Sequence, residues 1–187
     1  MKKVLFVILL ILISAAVYFL SGSEVTRNTD TWVYDLPYAT GTGHQVVQGY
    51  GGRFSHKHKA ALDFDMPEGT AVFAARGGTL YSFKEDSKEG GPFSRYEKKA
   101  NYIIIRHDDG SFGCYWHLQQ HGVIVRKGRV EQGQLIGYSG STGFVLRPHL
   151  HFAVKRKLNY KKDSFVKTKF RTHDGIRLLK GGDNYIR

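Results

Sequence analysis

Tyr102-Ile103-Ile104-Ile105-Arg106 runs through His107 into Asp108-Asp109-Gly110 and then into Ser111-Phe112-Gly113-Cys114-Tyr115-Trp116-His117-Leu118. The two flanks are β-branched and aromatic, and Asp-Asp-Gly between them is a turn signal, so the stretch predicts two strands joined by a tight connection. Outward from it the same texture repeats. Thr70 to Ala75 ends at Gly77-Gly78 and is followed by Thr79-Leu80-Tyr81-Ser82-Phe83. Val123-Ile124-Val125, Gln134 to Tyr138 and Leu150-His151-Phe152-Ala153-Val154 lie downstream. No ten-residue window in this region carries a helical stripe, and the spacing leaves no room for helical crossovers. The expectation is a mainly β domain of antiparallel sheet.

Composition agrees. A chain of 187 residues that is 41% hydrophobic and 13% aromatic can bury a core, which excludes wholesale disorder. Its 22 Gly against 4 Pro suit many tight turns between short strands. The single Cys114 excludes an internal disulfide framework and a cysteine-based zinc site, and it is expected to face the core. The net charge of +12 points to an anionic partner: nucleic acid, membrane or cell wall.

At the amino terminus, Met1-Lys2-Lys3 precedes an apolar run from Val4 to Leu20. This is the pattern of a signal anchor or a cleaved signal peptide over residues 1–22, with the remainder exported. Export weighs against nucleic acid. Residues 23–42 read as a polar linker, 43–154 as the folded domain, and 155–187 as a basic extension. From Phe152 onward there are 11 Lys+Arg against 3 Asp+Glu, a net +8. That extension is either a solvated tail or a clamp on an anionic glycan or lipid surface. Residues 84–100, dense in charge around Gly90-Gly91-Pro92, read as a long exposed hairpin loop.

Chemistry is concentrated in the nine histidines. In Pro148-His149-Leu150-His151-Phe152 the two histidines are two apart, so on a strand they share a face. Phe54-Ser55-His56, then Ala61-Leu62-Asp63, and Tyr115-Trp116-His117-Leu118 lie upstream. A histidine, a carboxylate and a second histidine suit zinc and leave a fourth position for water, as in catalytic zinc sites. Asp65 reads as a solvated or supporting carboxylate, His107 as a turn or packing histidine, and His44, His121 and His173 as surface residues. Gly137-Tyr138-Ser139-Gly140-Ser141-Thr142-Gly143 reads as a turn: no lysine follows in the place a phosphate loop needs.

These segments, in this order from about Gln48 to Val154, resemble the LytM/lysostaphin-type zinc endopeptidases of peptidase family M23. The resemblance implies the lysostaphin/LytM (duplicated hybrid motif-like) fold, one zinc ion held by His56, Asp63 and His151, and His117 and His149 as catalytic histidines beside the reacting carbonyl. His58 competes with His56 for the first ligand position, since many members place that ligand four residues before the aspartate, where this chain has Lys59. The base is assigned to His149 and charge stabilisation to His117, with exchange of the two left open. The implied activity is hydrolysis of peptide cross-links in bacterial peptidoglycan. The alternative is a catalytically inactive relative that activates another wall hydrolase.

Overall fold

The computed structural model describes residues 29–159, 161 and 164–187. The expected anchor or signal segment and the first part of the expected linker lie outside the described residues. Among those described, no helix is long and apolar enough to cross a membrane.

The described residues form fifteen strands and one short 3-10 helix. The strands that build the site are β2 (Gly43–Gln48), β3 (Ala61–Phe64), β5 (Gly78–Lys84), β7 (Asn101–Arg106), β8 (Phe112–Val123) and β12 (Leu150–Lys155). They pair in the spatial order β2-β3-β12-β8-β7-β5, antiparallel throughout. The quoted hairpin is therefore β7 and β8, with Asp108-Asp109-Gly110 at its turn. Asp109 fixes that turn by accepting from both the amide and the hydroxyl of Ser111.

Alternation along each strand sorts the side chains. Leu62, Phe64, Ile103, Ile105, Tyr115, Leu150, Phe152 and Val154 enter one continuous core, while Asp63, Trp116, His149 and His151 take the opposite face. Phe152 sits at the centre of the core, edge-on to Tyr34 and Phe170 and tilted against Tyr115. The Tyr115 hydroxyl accepts from the Ala75 amide, so this buried phenol has a partner.

Two sequence expectations need correction. The segment read as a linker up to residue 42 contains β1 (Thr29–Asp35), and Tyr34, Leu36 and Tyr38 just within and after it are fully buried. Nor does the basic segment from 155 hang free. It supplies β13 (Phe165–Thr172), β14 (Gly175–Arg177) and β15 (Asn184–Ile186), and Phe170, Leu179 and Tyr185 join the core. β13 pairs with β12 and, in parallel, with β1; β15 pairs with β2. Net charge hid this because β13 alternates: Lys167, Lys169 and Arg171 face outward while Val166, Thr168 and Phe170 face in.

The sheet is not wholly antiparallel either. β1 runs parallel to β13, and β11 (Gly143–Phe144) parallel to β6 (Gly90–Gly91). The charged stretch 84–100 connects neighbouring strands β5 and β7 as expected, and it holds β6 and the 3-10 helix Ser94–Lys99.

Candidate metal centre and cleft

Strand register brings the predicted ligands together. His151 on β12 lies directly opposite Asp63 on β3 and opposite Trp116 on β8, so the three form one row across the sheet. His56 reaches the same point from the loop after β2. Its Nε2 is 3.2 Å from Asp63 Oδ1 and 3.2 Å from His151 Nδ1, and His151 Nδ1 is 2.7 Å from the same carboxylate oxygen. His56 is fully buried, whereas His58 is exposed and outside this cluster. Of the two candidates, the fold brings His56 to the others.

Three donors converging this closely suit one small cation: tetrahedral zinc with ligands at about 2.1 Å sets donors about 3.4 Å apart. The supporting bonds also fit. His56 Nδ1 is bonded to the Gly49 carbonyl, which fixes Nδ1 as the protonated nitrogen and leaves the Nε2 lone pair facing the cluster. Gln48 Nε2 donates to Asp63 Oδ2, reserving Oδ1 for the centre, and Gln48 Oε1 accepts from the Phe54 and Ser55 amides. One glutamine thus orients a ligand and shapes the loop that delivers another.

Burial alone would raise the Asp63 carboxyl, but His151, His56 and His149 around it outweigh that and hold it well below the usual carboxylate range. Burial lowers His151, partly opposed by Asp63. A metal bound here would require Asp63 ionised and His151 neutral with Nδ1 bare.

His117 and His149 stand beside this cluster, with ring centroids 4.7 Å apart. His149 shares the His151 face of β12, and its Nε2 is 3.7 Å from Asp63 Oδ1. His117 arrives by a different device. Asn101 pairs with Leu118 and Tyr102 with Trp116, so His117 is an extra residue in β8, at φ +67°. Such a bulge re-aims a side chain that regular alternation would send elsewhere. Each ring donates from Nδ1 to a backbone carbonyl, His117 to Thr142 at 2.7 Å and His149 to Arg147 at 2.9 Å. In the Nδ1–H tautomer each ring presents Nε2 as the acceptor. Burial pushes His117 down to about 3, helped by the neighbouring His149 and His151.

A cleft opens over the donors between the 48–55 loop and the 144–149 segment, with Phe54 and Phe144 stacked 6.0 Å apart at its rim. Asp65 is not part of the cluster; it lies 3.7 Å from Arg147 on the cleft wall. His107 is a packing residue, with Nδ1 donating to the Gly77 carbonyl and its ring buried. His121 and His173 are exposed, whereas His44 packs edge-on against Tyr38. Cys114 is buried and its thiol is pushed up to about 12, which removes it from nucleophilic chemistry.

Sequence reasoning missed Gln48 and the residues that hold His117, namely Thr142 and Asn101. Their roles depend on strand pairings remote in sequence, and no local spacing signals them.

The chain is similar to several known proteins. The model of peptidase family M23 matches residues 56–164, more than half of the chain. Among curated proteins, the chain is 36% identical over 91 residues to peptidoglycan DD-endopeptidase ShyA of Vibrio cholerae, covering 48% of this chain and 18% of that protein. It is 37% identical over 97 residues to peptidoglycan DD-endopeptidase ShyC of the same organism, covering 51% and 20%. The match thus spans about a fifth of the length of these relatives. Among solved structures, the antimicrobial peptidase lysostaphin from Staphylococcus simulans superposes with a TM-score of 0.51 at 28% identity, over 69% of this chain and 49% of that one.

Proposed function

The chain belongs to peptidase family M23, and on that premise we propose that it is an exported zinc endopeptidase that hydrolyses peptide cross-links of bacterial peptidoglycan. The observation that carries the reading is the convergence of His56 Nε2, Asp63 Oδ1 and His151 Nδ1 at the floor of an open cleft, with two further histidines alongside. His56, Asp63 and His151 hold one zinc ion. When bound, zinc supplies Lewis-acid polarisation of the scissile carbonyl and a water acidified to near neutral pH.

The chain's own residues supply the rest. His149 Nε2, an acceptor 3.7 Å from Asp63 Oδ1, takes the proton of the attacking water. That proton is then delivered to the leaving amine. His117, enclosed and held neutral with its Nδ1–H committed to the Thr142 carbonyl, presents Nε2 as an acceptor and orients the attacking water from the other side. The expected role in stabilising the oxyanion needs a free N–H donor, which this ring does not have. A catalytically inactive regulator has no observation in its favour, since every ligand position is filled and converges.

The DD-endopeptidase names of the relatives favour D-alanine–diamino-acid cross-links as the substrate. Residues 1–22 serve as the signal anchor or signal that exports the domain. The outward row Lys167, Lys169 and Arg171 on β13 contributes a contact for an anionic glycan or lipid surface.

The test is digestion of purified sacculi by the zinc-loaded full chain, with and without chelator. Release of peptide products that stops on chelation is expected. A zinc-loaded protein that releases none would overturn the reading.

A further inference from the structure

His117 depends on a buried polar hub that joins three remote parts of the chain. Asn101, fully buried at the start of β7, donates from its amide side chain to the Leu118 carbonyl at 3.3 Å and to the Ser87 carbonyl at 2.8 Å. Its side-chain oxygen accepts from the Ser87 amide at 3.1 Å. Its own backbone amide donates to the Thr142 hydroxyl at 2.9 Å, and that hydroxyl donates to the Leu118 carbonyl at 2.7 Å. The Thr142 carbonyl in turn receives the His117 Nδ1–H.

The hub grips both sides of the bulge. Leu118, the residue after His117, has its carbonyl held twice, while Thr142 holds the ring itself. Close packing leaves the turn no slack: a Cβ at Gly140 would lie 2.4 Å from the Gln119 amide nitrogen, and one at Gly143 would lie 2.5 Å from the Ala100 Cβ. A non-glycine residue at positive φ persists where its surroundings over-determine it, and these bonds are the surroundings.

We infer that Thr142 and Asn101 are positioning residues that lock the Nδ1–H tautomer and the ring orientation of His117, and that the 84–100 segment, anchored to them through Ser87, is a strut of the catalytic site. The role of His117 in hydrolysis rests on the proposed function; the hydrogen-bonding geometry does not. The strut has a second attachment, because β6 within it pairs with β11, which carries the cleft residue Phe144.

The hub predicts a difference between two near-isosteric changes. Thr142→Val keeps the shape and removes the hydroxyl, leaving the Asn101 amide without an acceptor; Thr142→Ser keeps the hydroxyl. In the zinc-loaded full chain, Thr142→Val should lower kcat on sacculus fragments about 10- to 100-fold. KM and the zinc stoichiometry should stay within about twofold, and Thr142→Ser should restore most of the rate.

A second readout needs no turnover. Side-chain nitrogen NMR of the full chain should show His117 protonated at Nδ1 in the wild type and in Thr142→Ser, and mixed tautomers in Thr142→Val. An unchanged His117 signal in folded Thr142→Val, or equal kcat in the two variants, would overturn the inference. An inactive wild type with the expected NMR pattern would instead count against the peptidase reading and leave the hub standing.

Discussion

Two histidines two residues apart illustrate how the site is specified. His56 and His58 are both compatible with zinc-ligand spacing, and only the path of the loop from Gln48 to Ala61 separates them. Gln48 sets that path by accepting from the Phe54 and Ser55 amides while donating to Asp63. His56→Ala should abolish stoichiometric zinc binding, whereas His58→Ala should leave it intact, as measured by metal analysis after dialysis. Gln48→Leu should weaken zinc binding about 10- to 100-fold, read by competition with a chromogenic chelator. Equal zinc loss in His56→Ala and His58→Ala would show that the loop is not ordered as described. The shared face of His149 and His151 was legible in the sequence because strand alternation is local. The grouping of His56, Asp63 and His151 was expected from the family resemblance, and their convergence depends on strand pairing. Gln48 was not legible, because its function exists only once β2 lies beside β3.

At the scale of elements, the β7–β8 hairpin is the best-determined feature of the sequence, and it carries a titration of its own. His107 lies just before its turn, and burial lowers it from the ordinary histidine value, with the Gly77 carbonyl partly opposing. The folded state disfavours the protonated ring, so protons bind the unfolded chain more readily. His107 therefore begins to cost stability as pH falls below about 6.5, and the cost grows until the folded ring itself protonates. Urea midpoints measured from pH 7.5 to pH 5 should fall more steeply for the wild type than for His107→Gln; parallel slopes would contradict this. The 137–143 stretch behaves differently: Gly137 to Ser139 lie in the strand Leu135–Ser139, and only the residues between it and β11 turn. It read as a plain turn, yet Gly140 packs against the Gln119 backbone and Thr142 holds His117. Gly140→Ala should destabilise the fold by about 1–3 kcal/mol, measured by denaturant melts. The bulge at His117 was invisible in the sequence: a histidine at positive φ has no local signature, unlike glycine.

For the whole molecule, the division suggested by charge gives way to one continuous core. β13 pairs with β12, the strand that carries His149's neighbour His151, and buries Phe170 against Phe152. Deleting residues 164–187 should therefore unfold the domain, as shown by loss of its cooperative thermal transition, and would not isolate a binding tail. Charge reversal is the cleaner probe. Lys167→Glu with Lys169→Glu should weaken sacculus binding and flatten its salt dependence, with little effect on a small peptide substrate. Retained binding would remove the anionic-surface role.

The claim on which the rest turns is metal-dependent cleavage of a peptide cross-link. Mass spectrometry of sacculi with D-alanine–diamino-acid cross-links, incubated with the zinc-loaded full chain, tests it most directly. Cross-linked dimers should disappear as monomers with a newly freed amine on the diamino acid accumulate, and chelation should stop the conversion. Dimers that persist while the protein carries one zinc per chain would contradict it.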